Sequence, residues 1–225
     1  MVQKKESQIK KTSFYEYTIT NNEEISTGVH VISFQRDFKF IPGQVVKIGI
    51  DYKNPPRIYS ICSGNKENEV RILFDIKEDG FLTPKLSTLI PGDKILVSKP
   101  YGSFIGTSEK ACWIASGTGI APFYSMIKSG LEKNKTLIHG VRYLNQFYFE
   151  DELEYTLGKN YIRCCSAESS CDTFPGRVTG YIKTIEKLPD VKYYICGQAL
   201  MVVEVRDLLI EKGVSYENIM AEIYF

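Results

Sequence analysis

The sequence predicts two units of different architecture, a small antiparallel β-barrel followed by an α/β unit on a parallel sheet. Three observations predict it. Up to about residue 104 the chain consists of short β-rich segments punctuated by Pro- and Gly-containing turns. Beyond residue 110, short apolar runs alternate with helical stretches. The 225 residues, 43% hydrophobic, suffice for one large core or two small ones, so pattern rather than length makes the division. The expected domains are residues 8–104 and 110–225.

In the first unit the candidate strands are Glu16–Asn21, Val29–Phe34, Val45–Ile50, Arg57–Cys62, Glu69–Ile76 and Lys94–Lys99. Pro42-Gly43, Asn54-Pro55-Pro56, Asp79-Gly80, Pro91-Gly92 and Pro100-Tyr101-Gly102 separate them. Six such strands fit a closed antiparallel barrel, because closure removes exposed edges. In the second unit Ala111–Ser116 is an apolar strand ending in a Gly-rich turn, and Pro122 suits the first turn of a helix over Pro122–Lys133. Thr136–Val141, Tyr161–Ser166, Lys192–Cys196 and Ile219–Tyr224 read as strands, with helices near Phe149–Thr156 and Ala199–Lys212. This alternation argues for a parallel, Rossmann-like sheet covered on both faces.

Composition excludes several functions. Lys plus Arg number 28 against 27 Asp plus Glu, so the net charge of +1 offers no polyanion-binding surface and no nucleic-acid partner is expected. Met1 to Lys11 is polar and charged, without a signal-peptide segment, and no run reaches the roughly 18 apolar residues of a membrane helix. A soluble, cytoplasmic monomer without membrane contact is the expectation. The six cysteines contain no Cys-x-x-Cys pair and the two histidines are far apart, so no metal site is expected.

The chemistry-bearing residues lie in a few short segments. On a strand, Arg57 and Tyr59 share one face and Ile58 and Ser60 the other. The planar guanidinium fork suits a phosphate, and a tyrosine can lie against a flat ring. Gly117-Thr118-Gly119-Ile120-Ala121-Pro122 follows a strand and opens a helix, where glycines admit a pyrophosphate and the helix N-terminus favours its charge. It departs from the ordinary dinucleotide fingerprint, with Pro122 at the third small-residue position and His139-Gly140 where an acidic residue is usual.

Together these segments resemble the bacterial-type ferredoxin/flavodoxin–NADP⁺ reductase family. Arg57-Ile58-Tyr59-Ser60 resembles its R-x-Y-S flavin signature, extended intact to Ser63. Pro42-Gly43-Gln44 resembles the family turn before a barrel strand. Asp79-Gly80-Phe81-Leu82-Thr83 resembles the loop whose amides and hydroxyl hold the flavin pyrophosphate. Gly117 to Pro122 resembles the G-T-G-x-A-P segment, and Tyr194-Ile195-Cys196-Gly197 the Y-x-C-G segment facing the nicotinamide. The ending Glu222-Ile223-Tyr224-Phe225 resembles the family's E-x-Y-aromatic terminus, where an aromatic covers one flavin face. Pro-Gly turns occur in any protein; order and spacing carry the weight.

The resemblance runs from Phe38 to Phe225 and implies an FAD enzyme that takes hydride from NADPH and serves ferredoxin or flavodoxin. It assigns flavin binding to Arg57, Tyr59, Ser60, Gly80, Leu82 and Thr83, with Tyr224 or Phe225 on the ring. It assigns nicotinamide binding to Gly117, Thr118, Gly119, Pro122 and Gly197, and the reacting edge to Ser60, Cys196, Glu222, Tyr224 and Phe225. Arg142, Ser166 and Arg177 match positions that read the NADP 2′-phosphate. Ala167 stands where the family has an arginine, so NAD remains open as the cofactor. A permanently bound reductase subunit of an oxygenase or other redox complex is the alternative.

Overall fold

In the computed structural model, which describes residues 13–224, β1 (Phe14–Ser26) runs past both ends of its predicted span because it serves two partners. Its first part pairs with β6 (Lys94–Ser98), from Phe14 opposite Ser98 to Thr18 opposite Lys94. Its second part pairs with β2 (Val29–Gln35), with irregularities after Ile19 and Glu24. Such bulges sharpen the bend of a strand that must leave one partner for another. With β3 (Val45–Gly49), β4 (Arg57–Ser60) and β5 (Glu69–Asp75), the antiparallel order is β4-β3-β6-β1-β2-β5. Ile61 bridges Ile72, and Cys62 N–H donates to the Arg71 carbonyl at 2.8 Å, so the continuation of β4 closes the barrel onto β5.

Strand alternation divides the barrel's apolar residues between two cores. Ile32 and Phe34 of β2, and Val70, Ile72 and Phe74 of β5, fill the barrel. Val29, Val31 and Leu73 point the other way, into a cluster shared with the second unit. That is why β2 is buried without a break from Val29 to Phe34. A short helix absent from the prediction, α1 (Thr83–Ser87), plugs one barrel end with Leu82 and Leu86. Asn22 Nδ2 donates to the Leu86 carbonyl at 3.0 Å and to the Leu89 carbonyl at 2.7 Å, satisfying groups at the end of α1.

The second sheet is parallel throughout. Its elements are β7 (Ala111–Ser116), α2 (Ala121–Lys128), β8 (Lys135–Val141), α3 (Glu150–Leu157), β9 (Tyr161–Cys165), β10 (Phe174–Pro175), α4 (Val178–Thr184), β11 (Lys192–Gln198), α5 (Ala199–Glu211) and β12 (Ile219–Tyr224). The strand order β10-β9-β8-β7-β11-β12 reverses direction at β7, and a crevice opens beyond the carboxyl ends of β7 and β11. Pro122 sits in the first turn of α2 as expected, but the helix stops at Lys128 rather than Lys133. Gly130, at φ 82°, donates to the Ile127 carbonyl and Leu131 to the Met126 carbonyl, a left-handed C-terminal turn that ends the helix. β10 and α4 carry no sequence signal: β10 has two residues, and α4 buries only Val178 and Ile182.

The two sheets share one apolar cluster, in which Val29, Val31, Leu73 and Phe104 pack with Trp113, Phe123, Tyr194 and Cys196. Ser125 Oγ donates to the Ser63 carbonyl at 2.7 Å in the buried seam. A Cβ on Gly43 would lie 2.7 Å from Met126 Cε of α2, so the barrel backbone lies directly against the second unit there. This close docking fixes the walls of the cleft that remains open. Among the described residues no helix is long and apolar enough to cross a membrane.

Candidate active site

A cleft of about 1320 Å³ separates β4, β5 and α1 on the barrel side from the carboxyl ends of β7, β8, β9 and β11 on the other. Predicted residues Arg57, Tyr59, Ser60, Gly80, Leu82, Thr83, Gly117, Thr118, Arg142, Ser166, Arg177, Glu222 and Tyr224 all line it. Gly119, Pro122, Cys196 and Gly197 are buried and lie outside its lining. Phe225 lies outside the described residues.

On the barrel side, strand alternation puts Arg57 and Tyr59 opposite Ile58 and Ser60, yet all four border the cleft because β4 ends the sheet beside it. Arg57 is exposed, Tyr59 half-buried and Ser60 buried. The Tyr59 ring meets Phe74 edge-on at 6.3 Å, and burial raises its phenol. Gly80 N–H donates to the Lys77 carbonyl at 2.8 Å, which tightens the loop. Thr83 Oγ1 accepts from Lys77 N–H at 2.8 Å, leaving the hydroxyl proton to donate elsewhere. Phe74, Phe81 and Tyr148 add aromatic lining that the sequence reading did not single out. Phe74 had a signal in the β5 alternation and Phe81 in the Asp79–Thr83 loop, whereas Tyr148 had none.

On the sheet side, Gly117 turns the chain at φ 52° just after β7, and a Cβ there would meet nothing within 4 Å. Gly119 is the opposite case: a Cβ would lie 2.4 Å from the Cys196 carbonyl oxygen. The two glycines therefore do different work, one shaping an open turn and the other admitting β11. His139 stands behind the turn, its Nε2 3.3 Å from the Gly117 carbonyl oxygen.

Where the sheets meet, the side chains converge. Ser60 Oγ donates to Glu222 Oε2 at 3.0 Å, joining residues 162 positions apart. Burial raises the Glu222 carboxyl, with the Ser60 hydrogen bond opposing it. Cys196, opposite Glu222 in the ladder, is fully buried, and burial and the nearby carboxylate hold its thiol well above the ordinary value. That is the state of a packed thiol rather than a nucleophile. The Tyr224 hydroxyl is buried and makes no hydrogen bond of good geometry, although Ser60 and Cys196 are close by. An orphaned buried hydroxyl costs about 1–3 kcal/mol, so this end of the cleft suits a ligand with polar edges.

At the far end, β8 and β9 present Arg142 and Ser166, and Arg177 precedes α4. Among the described residues neither Arg142 nor Arg177 forms a salt bridge, and both are exposed to the cleft. Ser166 Oγ donates to the Val141 carbonyl at 3.3 Å. Ala167 lines the same end and supplies no charge. Among the described residues no cluster of three or more His, Cys, Asp or Glu side chains is placed to hold a metal.

Residues 113–207 match the oxidoreductase NAD-binding domain family. The toluate 1,2-dioxygenase electron transfer component of Pseudomonas putida is 28% identical over 224 residues, spanning 92% of this chain and 67% of that protein. The ferredoxin–NADP reductase of Azotobacter vinelandii is 36% identical, over 50% of this chain and 48% of that protein. Among solved structures, a ferredoxin NADP⁺ reductase from Neisseria gonorrhoeae with bound FAD and NADP superposes with a TM-score of 0.86 at 22% identity, over 96% of this chain and 100% of that one. Residues 113–207 thus match the oxidoreductase NAD-binding domain family, within a chain whose two-domain fold is that of the solved ferredoxin–NADP⁺ reductase.

Proposed function

We propose that the chain is a ferredoxin/flavodoxin–NAD(P)⁺ reductase, with residues 8–104 holding FAD and residues 110–225 holding the nicotinamide nucleotide. The observation that carries this reading is the meeting of Ser60 with Glu222 and Tyr224 in the seam between barrel and sheet. The donor set fits a flavin: an exposed guanidinium, a threonine hydroxyl with a proton to give and two tyrosines, one of them with an unpaired buried hydroxyl, border one cleft. Bound there, a flavin would accept hydride from a nicotinamide and release electrons singly to a protein carrier, chemistry that side chains do not supply.

The residues divide the work. Arg57, Gly80, Leu82 and Thr83 hold the flavin pyrophosphate, and Tyr59 and Tyr224 flank its ring. Gly117 and Thr118 let the backbone approach the nicotinamide nucleotide, with Gly119, Pro122 and Gly197 shaping the turn from behind. Arg142, Ser166 and Arg177 take the adenosine phosphate. Ser60 and Glu222 set the polarity of the reacting edge, and Cys196 packs beneath it. Tyr224 serves as the aromatic cover that gives way to an incoming nicotinamide, a role the resemblance assigns to it or to Phe225. With Ala167 at the phosphate end, NADH competes as a donor with NADPH.

Purified protein should be yellow, and anaerobic titration with NADPH or NADH should bleach it. A colourless protein that takes up no FAD refutes the reading. A second reading, a reductase subunit bound permanently to a larger redox complex, is favoured by the dioxygenase electron transfer component among the relatives. Gel filtration of native extract separates the two: co-elution with a large partner replaces the free reductase.

A further inference from the structure

Behind the Gly117 turn lies a fully buried imidazole that this reading leaves without a task. His139 sits on β8 opposite Ala115 of β7 and is 0% exposed. Its Nδ1 is 3.0 Å from the Tyr161 hydroxyl and its Nε2 3.3 Å from the Gly117 carbonyl oxygen. A carbonyl only accepts, so Nε2 carries the proton and Nδ1 accepts from the Tyr161 hydroxyl. The other tautomer would set the Nε2 lone pair against the carbonyl oxygen. Burial lowers the imidazole to about 4 and raises the Tyr161 phenol, so both groups stay neutral near pH 7. Phe147 meets the imidazole edge-on at 5.4 Å and helps to fix the ring.

The anchored carbonyl matters because of the peptide that contains it. Among the described residues no peptide bond is cis, so the Gly117 C=O and the Thr118 N–H lie in one plane and point in opposite directions. Holding the oxygen toward the core turns the N–H outward, toward the cleft that Gly117 and Thr118 line. Gly117 lacks the Cβ that would restrict its dihedrals, and the space around that position is open, so no packing at Gly117 itself fixes the peptide that follows it.

We propose that His139, its tautomer fixed by Tyr161, is a positioning residue for the nicotinamide dinucleotide: it anchors the Gly117 carbonyl and so presents the Thr118 N–H to the ligand. This rests on the docking of a dinucleotide at the Gly117 turn. No charge on the imidazole is needed. Its contribution is direction, and a residue that donates a hydrogen bond from the same place replaces it.

Calorimetric binding of NAD⁺ and NADP⁺ to the purified protein tests this, with 5′-AMP as a probe confined to the Arg142–Arg177 end. His139→Phe should weaken whichever dinucleotide the wild type binds by about tenfold, the loss of one oriented hydrogen bond, and leave 5′-AMP unchanged. His139→Gln, which keeps a donor near Nε2, should recover most of that loss. Tyr161→Phe, which keeps the ring and its volume, should lose about threefold by freeing the tautomer, and it carries the test where His139→Phe yields no folded protein. Unchanged dinucleotide affinity in the phenylalanine variants overturns the proposal, as does a parallel loss of 5′-AMP, which marks general disruption. A wild type that binds 5′-AMP and neither dinucleotide removes the docking itself, and the proposal with it.

Discussion

Replacing Gly119 by alanine tests how tightly the Gly117 turn is pressed against the sheet. An added Cβ would lie 2.4 Å from the Cys196 carbonyl oxygen, 2.6 Å from Gly197 Cα and 2.7 Å from the Cys196 carbonyl carbon. Ordinary contact begins at 3.4 Å, so the turn must back away by about 1 Å. The obstructing atoms are backbone of β11, which is laddered to β7 on one side and β12 on the other. They cannot rotate aside as a side chain would. Overpacking of this kind costs about 1–3 kcal/mol, a large share of the roughly 5–15 kcal/mol that keeps a domain folded. Gly117→Ala fails differently. Its Cβ meets open space, but φ 52° costs a non-glycine residue about 1–2 kcal/mol. Gly117→Asn should therefore be milder than Gly117→Ala, because asparagine tolerates that region, whereas Gly119→Asn should be at least as damaging as Gly119→Ala. Urea unfolding followed by circular dichroism reads the stabilities, and calorimetry reads dinucleotide affinity. A Gly119→Ala protein within about 0.5 kcal/mol of wild type, with unaltered affinity, would refute the packing argument.

Arg57→Ala should release FAD; its flavin absorbance per protein, after gel filtration, should fall well below wild type, and a full complement would remove the phosphate role. Ala167→Arg restores a charge-assisted contact of about 1.5–3 kcal/mol, so the KM for NADPH should fall by about one to two decades while that for NADH changes little. Equal shifts for both nucleotides would show that Ala167 is not beside the 2′-phosphate. For Glu222→Gln the pH dependence carries the sign. Burial raises the folded carboxyl above its ordinary value of 4.5, so the native state disfavours the charged form. The stability Glu222 contributes is present below about pH 4.5 and is lost as pH rises through the folded value. Glu222→Gln, which keeps an acceptor for Ser60, should match wild type below pH 4.5 and gain on it as pH rises toward 7. Urea midpoints across that range check it, and a constant difference would contradict the burial.

The reading of each half from local pattern held where the pattern was local. β2, β3, β5 and β6 fall close to their predicted places because strand alternation and Pro-Gly turns are properties of neighbouring residues. α2 carries its expected proline in the first turn but ends early, because the Gly130 turn outweighs the helix-forming Leu131, Glu132 and Lys133 beyond it. α1, β10 and α4 escaped because each is short and held by tertiary contact rather than by its own periodicity. Arg57, Tyr59 and the Gly117 turn were legible since each motif is contiguous.

What the sequence by itself determined is therefore the division into barrel and parallel sheet, and the residue types each brings to the cleft between them. Only the tertiary structure decided that Ser60 meets Glu222, that Ile61 closes the barrel on Ile72, and that the Tyr161 hydroxyl and His139 anchor the Gly117 carbonyl. Those pairings join positions distant along the chain, and no local preference encodes them. They follow from how two sheets share one apolar cluster, which fixes the register in which the walls of the cleft face each other.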